Sequence, residues 1–383
     1  MIDKGLIQQF EALYGAKPEL LSTAPGRVNI IGEHTDYNQG FVMPSALQFS
    51  TNVYCSRRTD MNIHACSLQY PQQKEVFSLE APIVRGEHQW GDYVRGVVNE
   101  FLAAGHTLQG LNILITSDVP QGAGLSSSAA LEVAVGGMLN QMFDLKLSNT
   151  QIAKLGQAAE NNFVDCQCGI MDQLISAEAT AQHAVLIDCE NLATQNVHIP
   201  ESLALVVINS NYPRKLVDSE YNLRRKACEK AAATMAVSSL RYADMDMLDS
   251  VRADMDEVTY RRARHIITEN KRVLAAAQAL KTNDLPTLFQ IMREAHASLK
   301  NDFEITVPAT DGLVAICNQA LGDRGVARQT GGGFGGAVIC LCDIADVAAV
   351  KAAVDEHYHA KFTLAADVYV CKASDGLRLT PLS

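Results

Sequence analysis

The sequence predicts an α+β protein built in two lobes, an expectation that rests on three observations. Its 383 residues exceed what one hydrophobic core usually organises. Between Leu111 and Ala134 a period-two apolar run, a glycine-and-serine loop and an Ala-rich apolar run follow one another, the pattern of strand, loop and helix. The chain closes with strand, glycine loop, strand, helix and strand over 326–371, an order that suits a split βαβ half-domain.

Composition narrows the class. Apolar residues make up 48% of the chain, as in an ordinary soluble globular protein. No apolar run is long enough for a bilayer, and Met-Ile-Asp-Lys leads straight into an amphipathic pattern rather than a signal peptide. Ten cysteines do not make a disulfide framework here, and neither Cys166-x-Cys168 nor Cys340-x-Cys342 has zinc-site spacing. Buried, reduced thiols and a cytoplasmic location are expected. The net charge of −11 argues against nucleic acid or an anionic membrane as partner, but not against a phosphate held by local N–H groups and a metal. The basic cluster Arg261, Arg262, Arg264 and His265 reads as a solvated helix face.

In chain order, Leu6, Ile7, Phe10, Leu13 and Tyr14 share one side of a first helix, which Gly15 and Pro18 end. A strand then runs to Gly32 and breaks into a polar turn where Glu33, His34, Asp36 and Asn38 crowd together, with Arg27 upstream. Carboxylates and amides so grouped suit a polyol, whose hydroxyls each need a partner, although solvated turns carry the same residues. Residues 41–70 read as strands and Pro71–Glu87 as a loop. Trp90–Leu102 reads as a helix, its sole tryptophan suited to packing on an adenine ring or in a core or groove.

The stretch Pro120–Ala134, a loop running into a helix, has Gly122 and Gly124 to admit an anion close to the backbone, and Ser126, Ser127 and Ser128 to cap that helix. No Gly-Lys-Ser/Thr follows, so this is not a Walker A loop; serine hydroxyls and a magnesium ion would replace its lysine. An ordinary N-cap behind a two-glycine turn gives the same string. Ser148–Phe163 reads as a helix leading to Asp172, set among Ile170, Met171, Leu174 and Ile175. A carboxylate so placed must be paired or hydrogen-bonded, as a base or as a helix cap. The polar stretch between strands Val185–Asp188 and Leu203–Asn209 marks the expected lobe boundary, 1–200 against 201–383. A loop over Asn211–Glu220 precedes a helix from about Ser219 bearing Tyr221, Arg224 and Arg225. Helices at Tyr260–Lys281 and Leu285–Leu299 follow, the second with Asp284 and Pro286 at its start. Gly331–Gly336, with five glycines in six residues between strands, permits close approach to a ligand or to the first loop.

Together these residues resemble the galactokinase branch of the GHMP kinases (galacto-, homoserine, mevalonate and phosphomevalonate kinases). Gly26–Asn38 is similar to the galactokinase signature, Pro120–Ala130 to the family's serine-rich ATP loop, and Gly331–Gly336 to its glycine-rich third motif. The resemblance implies a two-lobed GHMP kinase fold, an N-terminal mixed-sheet lobe and a C-terminal ferredoxin-like lobe with the active site between them. It implies transfer of the γ-phosphoryl of ATP to the anomeric hydroxyl of galactose. In that picture Asp172 is the base and Arg27 lies beside it. Glu33, His34, Thr35, Asp36 and Tyr221 hold the sugar. Gly122, Ala123, Gly124, Leu125, Ser126, Ser127 and Ser128 wrap the triphosphate, and Ser128 and Glu160 ligate Mg2+. The expected partners are galactose and MgATP alone, with a monomer as the expected assembly. A kinase for N-acetylgalactosamine or arabinose, or a non-catalytic galactose/ATP-binding regulator, are the alternatives.

Overall fold

A computed structural model describes residues 3–213 and 217–382. Helix α1 (Lys4–Tyr14) starts at Asp3, whose carboxylate accepts from the N–H groups of Gly5 and Leu6. Its apolar side is narrower than the sequence suggests, because Phe10 is buried against Leu21, Tyr54 and Leu114 while Leu13 faces water. Strands β1 (Leu20–Ile31) and β2 (Phe41–Arg57) form a long antiparallel pair on either side of the polar turn. Next come β3 (Asn62–Ser67), β4 (Lys74–Ser78), α2 (Gln89–Ala103) and β5 (Leu111–Ser117), with β3 parallel to β5 and the other pairings antiparallel, hence a mixed sheet. Strand β4 lies inside the segment expected to be a loop. Its alternation is masked because the inward residue Glu75 is charged, held by Arg95 at 2.7 Å, while Val76 points out.

Helix α3 (Ser127–Met142) is apolar all round and buried through most of its length, as its Ala-rich sequence suggests. Helix α4 (Asn149–Ala158) begins in a capping box of Ser148 and Gln151 and ends in a π-helical turn, Ala159–Val164. Helix α5 (Met171–Glu178) and the pair β6 (His183–Asp188) and β7 (Ala193–His198) follow. β7 occupies the polar stretch read as a boundary. All but Val197 of its residues are exposed, so only pairing with β6 reveals it.

From β8 (Leu203–Asn209) the chain enters a long helical insertion: α6 (Val217–Thr234), α7 (Met245–Ser250), α8 (Glu257–Lys281) and α9 (Leu285–Ser298). The expected loop 211–220 falls partly outside the described residues, and its end is helical from Val217. α10 (Pro308–Leu321), β9 (Gly325–Gln329), β10 (Ala337–Asp343), α11 (Val347–Phe362) and β11 (Asp367–Cys371) complete a second sheet of order β11-β8-β10-β9. That is the ferredoxin-like order, with α10 as the helix the sequence reading passed over. The sheet is buried on both faces: Ile339 and Leu341 face the core shared with the first lobe, and Val338, Cys340 and Cys342 face α10 and α11. The two thiols share a face as their spacing predicts, and none of the ten cysteines is in a disulfide. The last strand, β12 (Arg378–Pro381), crosses back to pair with β1, so the span 201–383 contributes one strand to the first sheet.

The basic cluster on α8 is not a solvated face. Arg262 and His265 are buried; Arg262 and Arg261 reach Glu304, and Arg264 reaches Asp302, clamping a second π-helical turn, Leu299–Phe303. Unmatched cations in a helix read as solvated until their acids, here forty residues away in sequence, are in place. Among the described residues no helix is long and apolar enough to cross a membrane.

Candidate active site

Between the lobes lies a cavity of about 260 Å³ whose walls bring together most of the residues singled out above: Arg27, Glu33, His34, Asp36, the loop 120–128, Glu160, Asp172, Tyr221 and Gly331–Gly332. At its centre Arg27 grips Asp172 with both arms of its fork, Nε to Oδ1 at 2.8 Å and Nη2 to Oδ2 at 2.7 Å. The third arm, Nη1, donates to the carbonyl of Gly124 at 2.7 Å, tying the pair to the phosphate-loop candidate. Gly26 lets β1 lie against that loop: a Cβ there would stand 2.6 Å from the carbonyl oxygen of Leu125, which accepts from the Arg27 N–H. Asp172 sits in the first turn of α5, where the helix dipole favours a negative charge.

In the loop, Gly122 and Gly124 both take φ of +72°, conformations that favour glycine. Ser126 differs from the expectation that it caps α3. Its own backbone is left-handed, and its hydroxyl donates to Asp172 Oδ2 instead. Ser127 and Ser128 open the helix, whose first N–H groups have no intrahelical acceptor. Ala123 does not line the cavity; its side chain is packed in the core between the lobes.

Deeper in, the π-helical turn after α4 presents Glu160 to the hydroxyl of Ser128. Gln173 Nε2 donates to Glu160 Oε2 at 2.7 Å and to Glu132 Oε2 at 2.8 Å. Burial pushes the Glu160 carboxyl up to about 7, with Asp172 adding to the effect, and raises Glu132 well above the ordinary range. Glu132 Oε1 is buried without a hydrogen-bond partner. Ser128 and Glu160 offer two hard oxygen donors beside an anion loop. That suits Mg2+, which takes one or two protein oxygens and completes its shell with water and phosphate. Among the described residues there is no cluster of three or more His, Cys, Asp or Glu able to cage a metal.

The sugar-turn candidates diverge. Asp36 borders the cavity against Gly169, where a Cβ would come within 2.2 Å of its carboxylate. Withdrawal from water, then the neighbouring Asp172, push Asp36 up to about 6. His34 stacks between Tyr221 (4.9 Å) and Phe303 (4.8 Å), and burial drives it down to about 3, so the ring is neutral. Glu33 lines the cavity but is paired with Arg328. Thr35 does not reach the cavity. Its buried hydroxyl faces the carbonyls of Gly32 (2.9 Å) and Phe41 (2.6 Å) and closes the turn.

A larger cavity, about 530 Å³, adjoins the first and shares Ser127 and Ser128 with it. Trp90 is on its wall, its indole N–H donating to Gln73 at 2.8 Å, while the ring also packs on the first-lobe core. Trp90 thus takes the core-or-groove position of its two sequence readings. The sequence reading missed Arg328 and the Ser126–Asp172 contact. Arg328 left a signal: it shares the strand face of apolar Val326 in the segment leading to the glycine loop. The loop itself approaches the first one as expected, a Cβ at Gly331 standing 3.5 Å from Gly124 O.

The comparisons with known proteins agree with this geometry. Residues 92–179 match the family model of the GHMP kinases N terminal domain, 276–360 that of the GHMP kinases C terminal, and 8–57 the galactokinase galactose-binding signature. A galactokinase from Lactococcus lactis, solved in complex with galactose, is 32% identical, with 99% of each chain covered and a TM-score of 0.93. The chain belongs to the galactokinases of the GHMP kinase family. Two more distant structures share the fold: a mevalonate kinase from Methanococcus jannaschii (17% identity, 94% and 100% coverage, TM-score 0.64) and a phosphomevalonate kinase from Streptococcus pneumoniae (13%, 95% and 100%, 0.60). Membership makes the chain an ATP-dependent kinase, and the galactokinase signature coincides with the β1 strand and turn that carry Arg27 and Glu33–Asp36.

Proposed function

We propose that this chain transfers the γ-phosphoryl group of ATP to the anomeric hydroxyl of α-D-galactose, giving galactose 1-phosphate and ADP. The observation that carries this reading is the Arg27–Asp172 pair, set between an anion loop on one side and a turn of polyol-binding side chains on the other. Glu33, His34, Asp36 and Tyr221 hold the sugar hydroxyls, and the backbone of 122–128 wraps the triphosphate. Ser128 and Glu160 would hold Mg2+, which when bound would neutralise phosphate charge.

In the transfer, the bond from the sugar O1 to the γ-phosphorus forms in line as the bond to the β,γ-bridging oxygen breaks, its electron pair leaving with ADP. Little proton transfer is needed early, because the O1 hydroxyl becomes acidic only as its bond to phosphorus forms. Asp172 then takes the proton; among the described residues Oδ1 accepts a single hydrogen bond, from Arg27 Nε, and keeps a lone pair. Arg27 holds the carboxylate in one plane and supplies fixed positive charge beside the transferring group. Ten cysteines outside any disulfide support a reducing, cytoplasmic setting.

The test is a coupled ADP-release assay with MgATP and galactose, N-acetylgalactosamine, arabinose, glucose or mevalonate as acceptor, with Asp172→Asn as the blank. Turnover on galactose alone, lost in the variant, is the expected result. Sugar binding without turnover overturns the kinase reading, and turnover on another acceptor overturns the choice of sugar.

A further inference from the structure

Arg328 is the largest fully buried side chain among the described residues and belongs to β9, in the second sheet, yet its guanidinium ends in the first lobe. Nη1 donates to the carbonyl of Ile30 at 2.7 Å and to Glu33 Oε1 at 3.0 Å, and Nη2 donates to Glu33 Oε2. The Gly331 N–H adds a contact to Oε1 at 3.4 Å. Among the described residues Oε1 thus accepts twice and Oε2 once, which leaves a lone pair of Oε2 for a donor from the cavity. A planar fork fixes a carboxylate in its own plane, as a lysine ammonium does not. Burial pushes Glu33 towards its neutral form and Arg328 is the group opposing that push. A protonated Glu33 would present a donor where a sugar hydroxyl needs an acceptor.

The side chains of His265, Glu269 and Asn270, also from the second lobe, meet only the backbone of the same turn. His265 Nε2 lies 3.2 Å from the Glu33 carbonyl, Glu269 accepts from the Gly32 N–H at 3.1 Å, and Asn270 accepts from the Phe41 N–H at 3.0 Å. Arg328 alone among these reaches the Glu33 carboxylate.

We propose that Arg328 is a specificity-determining positioning residue, which from across the lobe junction sets the direction in which the Glu33 carboxylate meets the acceptor sugar. The proposal rests on the reading of Glu33 as a sugar-holding residue. A purely structural ion pair would tie the lobes together without distinguishing sugar from nucleotide, and that difference makes the two separable.

The experiment is a double-mutant cycle on the full chain: wild type, Arg328→Lys, Glu33→Gln and the double variant, each measured for galactose KM, ATP KM, kcat and calorimetric galactose affinity. Arg328→Lys is expected to raise galactose KM about tenfold or more with ATP KM unchanged. It is expected to add nothing once Glu33 is Gln, the non-additivity of residues acting as one unit. Additive penalties, an equal rise in both KM values, or an unchanged galactose KM overturn the proposal. If Arg328→Lys does not fold, the paired amide variant Arg328→Gln/Glu33→Gln replaces it. A galactose affinity as weak as that of Glu33→Gln supports the proposal, and wild-type affinity overturns it. Wild-type chain that binds galactose without releasing ADP breaks the kinase reading alone, because the affinities still decide the role of Arg328.

Discussion

The proposed phosphate loop and the proposed sugar turn line one cavity, yet they are held by different means. The loop 120–128 is the direct link between β5 and α3, and two positive-φ glycines and a helix start shape it. The turn 32–38 also links neighbouring strands and is closed by its own Thr35, but it leans in addition on remote anchors: Glu269 on Gly32, His265 and Arg328 on Glu33, and, on the strand before it, Thr330, whose hydroxyl donates to the Asn29 carbonyl at 2.7 Å. One half of the site is built by local chain geometry and the other by closure of the second lobe against the first. Nucleotide-side geometry should therefore tolerate damage to the lobe junction, and sugar-side geometry should not.

Variants can break or sharpen that contrast. The largest effect is expected where the halves meet. Asp172→Asn should lower kcat about 10³-fold, within the usual range for a lost general base, while calorimetry finds galactose still bound. Gly26→Ala comes next, since its Cβ would meet the Leu125 carbonyl at 2.6 Å. A destabilisation of about 1–3 kcal/mol, seen in a denaturant melt, should come with a rise in KM for both substrates. Gly122→Ala meets nothing within 4 Å and suffers only its positive φ, about 1–2 kcal/mol. It should raise ATP KM and leave galactose KM alone; an equal rise in both would refute the division into local and remote halves.

A pH titration reaches the sugar half without mutation. Asp36 accepts hydroxyl donors only when ionised, and its carboxyl is raised to about 6. As pH falls through that value the accepting form is lost, leaving about a tenth at pH 5. Galactose KM should rise accordingly between pH 7 and 5, and the rise should vanish in Asp36→Asn. The smallest effect is expected from Ser148→Ala, which breaks the capping box of α4 far from both halves. A loss of about 1 kcal/mol with unchanged kinetics checks that cap damage alone does not mimic a site defect.

Motifs whose geometry is local were legible in the residues. The strand-loop-helix around Gly122 and Gly124, the Asp284 cap with Pro286, and the shared face of Cys340 and Cys342 follow from period, propensity and turn chemistry. These act between near neighbours in the chain. Elements whose inward residue is charged were not, as β4 with Glu75 and the Arg262 face of α8 illustrate. A buried charge is tolerable only beside a partner that the one-dimensional string does not display. The same reason divides the site. By itself the sequence determined which side chains are available, Arg27, Asp172, Glu33, Asp36 and the serines among them. Only the tertiary structure decided that Ser126 turns to Asp172 rather than capping α3, that Thr35 closes its turn instead of facing the cavity, and that Glu33 takes its orientation from Arg328. Side-chain direction is set by hydrogen-bond partners, and these stand on another helix for Ser126, across the turn for Thr35 and in the other lobe for Glu33.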